Sequence, residues 1–178
     1  GPSSNVKYAN LVASFGGYTP SISYIPNSLG YINVYEAKSI NYGTFDQCTM
    51  VKEIDLPLIT LETIKNYAFR NTGIAKILLP SSLESIGVGA FKDNAKLRSV
   101  VFKDGFGVNT ISDYTFANCP KLVMSYLPDS VTTIGTHVFY GDTSITEFRV
   151  SENVERIGYA AFGLCTSLEE ITIPFVGA

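Results

Sequence analysis

Val154 to Pro174 reads VERIGYAAFGLCTSLEEITIP, and most of the chain is this stretch written again with substitutions. Val154-x-x-Ile157-Gly158 is a short extended run, after which Ala160-Ala161-Phe162 enters a tight turn that closes near Cys165. Leu168-x-x-Ile171-x-Ile173-Pro174 is a short strand, in which the period of two puts Ile171 and Ile173 on one face and Glu170 and Thr172 on the other. Pro174 ends it, because proline has no N–H to give to a ladder.

Working outward, an isoleucine stands five residues before a phenylalanine six times: Ile40/Phe45, Ile64/Phe69, Ile86/Phe91, Ile111/Phe116, Ile134/Phe139 and Ile157/Phe162. Steps between the phenylalanines are 24, 22, 25, 23 and 23 residues. An apolar-x-x-apolar-x-apolar strand follows each phenylalanine and another precedes the first, with inward sets from Leu29/Ile32/Val34 to Leu168/Ile171/Ile173. A unit of this size cannot bury its apolar side alone, so it is stable only between stacked neighbours. The strands are expected to form a parallel sheet with the Ile and Phe columns behind it. Each buried side chain of that kind contributes roughly 1.5 to 3 kcal/mol.

Composition narrows the class. A hydrophobic content of 46% excludes disorder, and the net charge of -3 without a basic stripe argues against nucleic acid as a partner. No apolar run approaches the roughly 18 residues of a membrane span, so this stretch is read as not membrane-inserted. Cys48, Cys119 and Cys165 all stand three residues after a repeat phenylalanine. Stacking places them roughly 14 and 10 Å apart at the strand spacing, beyond disulfide reach. They are read as free thiols packed in the turn.

Residues 1–4 resemble a cleavage scar left by expression, and 5–28 form an irregular N-terminal segment, either a cap or the tail of an insertion. The repeat array spans 29–174, and 175–178 begin an irregular C-terminal segment. The absence of a polar capping unit suggests one block of a longer array, with end-to-end contact through uncapped repeat ends. Between Phe102 and Ile111 two extra residues enter around Asp104-Gly105, which predicts a protruding loop with Phe106 at or near its tip. Ser125 breaks the apolar rule at an inward position, where a bulge is expected.

No residue set assembles chemistry. His137 is the lone histidine and occupies a repeat column at the surface; with no second histidine and no usable cysteine, zinc spacing and a catalytic triad are both absent. The pairs Glu169-Glu170 and Glu152/Glu155 read as solvated faces, and Gly87, Gly135 and Gly158 serve the repeat turn. The chain is read as no enzyme, with no catalytic residue, metal or cofactor. What remains is the outward row of the main sheet, charged at its flanks and apolar in the middle. Tyr31, Lys76, Leu78, Val101, Met124, Tyr126 and Arg149 are the candidate ligand-binding residues, with Tyr126 and Met124 as the anchor.

The pattern apolar-x-x-Ile-x-Ile-Pro-x-x-Val-x-x-Ile-Gly-x-x-Ala-Phe-x-x-Cys resembles the BspA-type leucine-rich repeats of bacterial and protist surface proteins, and the resemblance covers Leu29 to Pro174. It implies an α/β repeat solenoid dominated by β-structure, with a parallel sheet of about seven short strands, short return strands and helical turns. It also implies a secreted or cell-surface chain that binds a host or neighbouring-cell surface protein, matrix protein or glycan. The functional expectation is a protein-binding or adhesion module acting through the exposed sheet face; the alternative is a structural spacer block in a larger modular surface protein. The cysteine reading is directly testable. Denatured without reductant, the chain should titrate three thiols, and an intramolecular disulfide in the mass spectrum would overturn the column alignment.

Overall fold

Two short strands recur in nearly every coil of the chain, and both kinds pair in parallel with their counterparts one coil away. The structure, a computed structural model, describes residues 26–174; the readings of 1–4, most of 5–28 and 175–178 fall outside the described residues. In order run β1 (Tyr31–Asn33), β2 (Ser39–Ile40), β3 (Glu53–Asp55), β4 (Thr63–Ile64), β5 (Lys76–Leu79), β6 (Ser85–Ile86), β7 (Ser99–Phe102), β8 (Thr110–Ile111), β9 (Thr133–Ile134), β10 (Glu147–Arg149), β11 (Arg156–Ile157) and β12 (Glu170–Thr172). The broad side consists of the pairs β1-β3, β5-β7 and β10-β12, and the return strands form the ladders β2-β4-β6 and β8-β9-β11. Register follows the repeat: Ile40 pairs with Ile64 and Ile64 with Ile86, while Ile77 pairs with Val100 and Phe148 with Ile171.

Behind the strands the phenylalanines form one continuous stack. Ring centroids of Phe45, Phe69, Phe91, Phe116, Phe139 and Phe162 follow one another at 5.2, 5.1, 5.7, 5.8 and 5.3 Å, all near parallel. The first five rings and the isoleucines from Ile40 to Ile134 are fully buried. Close stacking also explains the glycine after the repeat isoleucine: a Cβ on Gly158 would collide with the Gly135 backbone, and one on Gly87 with Asn66. Those glycines admit the neighbouring coil, a role beyond serving the turn.

The turns are not helical, and no helix occurs among the described residues. Two positions per turn adopt left-handed backbone: Gly43, Tyr67, Gly89, Tyr114, His137 and Ala160 before the phenylalanine, and Gln47, Asn71, Asp93, Asn118, Gly141 and Leu164 after it. This alternation swings N–H groups along the stack. Gly43, Phe45 and Gln47 donate to the carbonyls of Asn66, Ala68 and Arg70, and the same three bonds recur from each coil to the next. A helix would direct those groups along its own axis and leave the next coil unpaired. The inter-coil bonds outweigh a strain of roughly 1 to 3 kcal/mol at each non-glycine left-handed residue.

One coil departs from the rule on the broad side. The stretch 122–127 has no strand; only Tyr126 bridges, to Arg149, and the main-chain link back to β7 is the Val123 N–H to the Arg98 carbonyl. Met124, expected outward as part of the anchor, is 8% exposed, while its neighbour Val123 is 70% exposed. The methionine fills the core place that Ser125 is too small and polar to fill, and the backbone shifts to let it. Phe106, expected at the tip of a loop, is also buried, with its ring edge-on to Phe102 at 4.9 Å. The loop therefore folds back against the stack instead of protruding, because burying the ring removes its apolar area from water.

The column three residues after each phenylalanine holds Cys48, Thr72, Asn94, Cys119, Asp142 and Cys165, all buried. Asn94 saturates its amide: Oδ1 accepts from the Thr72 N–H at 2.8 Å and hydroxyl at 2.6 Å, and Nδ2 donates to the carbonyls of Phe69 at 2.8 Å and Phe91 at 2.6 Å. Asp142 stands in the same place two coils on. Its Oδ1 accepts from the Cys119 N–H at 2.7 Å, but Oδ2 has no partner. Burial pushes the Asp142 carboxyl up from 3.8 to about 9, against the opposing Cys119 N–H. The thiols facing it stay neutral, Cys165 pushed up to about 11 and Cys119 also raised, both mainly by burial.

Asp142 is thus protonated in the fold at neutral pH and ionised in the unfolded chain. The unfolded state then binds fewer protons, so stability is greatest below the unfolded pKa and falls as pH rises toward 9, by about 1.4 kcal/mol per pH unit. Asp142→Asn should remove that slope and raise stability at pH 8, since the amide has no charge to neutralise when it is buried. Urea denaturation between pH 6 and 8.5 checks this; equal slopes for the two proteins would contradict it.

Candidate functional site

On the broad face the outward residues are those that alternation leaves on the solvent side. Lys76 and Arg149 are exposed, Leu78 and Val101 are half-buried neighbours in register on β5 and β7, and Tyr126 is 63% exposed. Tyr31 is exposed at the far end of the face, where its hydroxyl donates to Asp55 Oδ2 at 2.8 Å, a bond that holds the phenol pKa above its usual value. Val101, Tyr126 and Arg149 converge on one region, while Tyr31 does not join them and Met124 lies beneath the surface.

That region consists of two open hollows that share Ser125, Tyr126 and Asp129. The first, about 560 Å³, opens where 122–127 leaves the sheet; Val101, Val123, Tyr126 and Pro128 line it, and loop 103–106 is its wall. The buried Phe106 ring anchors that wall to the stack, so the two-residue insertion forms one boundary of the hollow. The second, about 780 Å³, lies on the other side of Tyr126, and Asp129, Glu147, Glu152 and Glu170 line it together with Arg149. No ion pair joins Arg149 to these carboxylates among the described residues. Asp129 is anchored by the Ser151 hydroxyl, which donates to Oδ1 at 2.9 Å, and its main-chain carbonyl accepts from Asn153 Nδ2 at 2.8 Å.

The carboxylates and the loop wall are absent from the sequence-derived candidates. One signal was available: Glu147 and Glu170 occupy the same outward repeat position and fall in register. Read as solvated faces, Glu152 and Glu170 are exposed but gathered on one hollow.

A second cluster of rings lies along the turns. His137, read as a surface residue, is half-buried: it stacks on Tyr114 at 4.9 Å and meets Tyr140 and Tyr159 edge-on at 5.0 and 5.5 Å. Arg70 and Lys92 cover Tyr67 and Tyr114 at 5.1 and 5.7 Å. These contacts join successive coils along the turns, though Tyr159 keeps most of its surface in solvent. Among the described residues no group of three or more His, Cys, Asp or Glu side chains gathers to hold a metal ion.

The sequence matches the family profile described as BspA type Leucine rich repeat region in six copies, over residues 23–143 and 62–176. Among solved structures, a leucine-rich repeat protein of T. pallidum is similar at 26% identity and TM-score 0.59, covering 67% of this chain and 56% of that one. The pneumococcal vaccine antigen PcpA is similar at 23% identity and TM-score 0.56, covering 80% of this chain and 50% of that one. The chain therefore spans about half the length of these solved relatives. Among curated proteins nothing matches.

Proposed function

The chain belongs to the BspA-type leucine-rich repeat family, and from that premise we propose that it is a protein-binding or adhesion module that works outside the cell or at its surface. Its function is recognition and requires no catalysis. The binding region is the broad face around Tyr126, with Val101 and Arg149 beside it and Lys76 and Leu78 two coils away.

The observation that carries this reading is the exposure of Tyr126 between two adjoining hollows, at the place where the repeat departs from its own pattern. A regular sheet stabilises the array as well as an interrupted one, so stacking alone does not require the displaced segment, the open hollows or an exposed phenol between them. A large amphipathic ring beside a polar rim is the usual form of an interface anchor. The competing reading, a spacer block, draws support from the regular coils at the other end of the array, where Tyr31 is tied to Asp55 within the face. A spacer needs no such feature at Tyr126.

Immobilised mucin and matrix proteins provide the test. Tyr126→Ala should weaken capture by about 2 kcal/mol or more, roughly 30-fold, the scale of an aromatic hot spot. Melting temperature should be nearly unchanged because the side chain is exposed, and Glu53→Ala, on β3 at the far end, should bind as the unaltered protein does. Equal losses from both substitutions, unfolding of the Tyr126 variant, or no capture by any protein of the panel would favour the spacer.

A further inference from the structure

We propose that the two hollows are one groove for an extended peptide that alternates apolar and basic side chains. The proposal rests on the binding reading above and names its ligand class. It starts from the main chain. Along β7 and its flanking residues the groups of Ser99, Val101 and Lys103 face β5, as the bond from the Lys103 N–H to the Leu79 carbonyl shows, so those of Val100 and Phe102 face the following coil, as does the Arg98 carbonyl, while the Arg98 N–H is bonded back to Ala75. Only the Arg98 carbonyl finds a main-chain partner there, Val123. The edges of Val100 and Phe102 are left without one among the described residues. β3 and β5 also lack a ladder, but they remain side by side in a coil that is merely one residue short, whereas beside β7 a hollow of about 560 Å³ opens.

An unpaired strand edge is a template for another extended chain, and main-chain bonding of that kind is sequence-tolerant until pockets for alternate side chains add selectivity. Here the pockets differ in character. Val101, Val123 and Pro128 give the hollow next to the edge an apolar lining, with Tyr126 across it. Beyond Tyr126, four carboxylates and one guanidinium line the hollow with no ion pair between them, a net negative field that favours lysine or arginine. A glycan would be served by several exposed ring faces, but Tyr126 is the one aromatic side chain exposed on these hollows. The edge, the apolar lining and the carboxylates fit a peptide on all counts.

Fluorescence polarisation with a labelled peptide alternating valine and lysine tests this, alongside a valine and glutamate counterpart and a copy N-methylated at alternate amides. The valine and lysine peptide should bind, with affinity falling as salt rises. The glutamate peptide should bind at least about tenfold more weakly, because its charges meet like charges. N-methylation should cost about tenfold or more through lost main-chain bonds. Val123→Arg should weaken binding of the valine and lysine peptide, and E147Q with E170Q should flatten the salt dependence; circular dichroism should show both variants folded. Equal binding of the glutamate or N-methylated peptide overturns the proposal, as does binding indifferent to Val123→Arg. If mucin or matrix capture depends on Tyr126 while no peptide binds, the ligand class is wrong and the adhesion reading stands. If purified oligosaccharides compete and the peptide does not, the groove reads glycan instead.

Discussion

Each coil must satisfy the N–H groups that its neighbour sends along the stack, and the rest of the structure follows from that constraint. It holds on the return side through parallel ladders and around the turn through the three bonds that join every coil to the next. The left-handed residues before and after each phenylalanine are the local cost of turning those groups sideways. The phenylalanine stack fills the space this spacing creates, at 5.1 to 5.8 Å from ring to ring. Glycine follows Ile86, Ile134 and Ile157 because the preceding coil leaves no room for a Cβ.

The candidate site arises where that order is relaxed. Two extra residues after Phe102 and a serine at an inward position fall in successive coils, and together they take 122–127 out of the sheet. Met124 and Phe106 then turn inward and preserve the core, while Val123 and Tyr126 turn out. The exposed candidate residues and the packing residues are thus different members of the same few turns. A substitution at Tyr126 should leave the stack nearly intact, whereas one at Met124 would disturb it first.

The repeat spacing was legible because a period near 23 residues imposes one register on every coil, and the pairing of Ile40 with Ile64 and of Ile77 with Val100 follows from it. The turn was not. Residue types such as Tyr67 and Leu164 give no hint of left-handed backbone, which the neighbouring coil imposes. For Met124 the alternation rule failed because a core vacancy overrides the period of two when a larger side chain lies one residue away, and for Phe106 the turn signal at Asp104-Gly105 marked a turn but not the direction in which the ring after it packs. Tyr126, Val101 and Arg149 were readable from that same rule, but the grouping of Asp129 with Glu147 and Glu152 depends on how loops stack across coils. The column of Cys48, Cys119 and Cys165 was visible, yet its continuation through Thr72, Asn94 and Asp142 emerges only when every coil is aligned on its phenylalanine.

If coils stand only through their neighbours, damage to one must spread. Phe116 lies mid-stack between Phe91 and Phe139 and is fully buried, so Phe116→Ala should cost roughly 3 to 5 kcal/mol. Native-state hydrogen exchange should then show faster exchange at the amides of Phe91, Phe116 and Phe139, which belong to three successive coils. Protection lost at Phe116 alone, with the flanking coils as slow as before, would contradict the account.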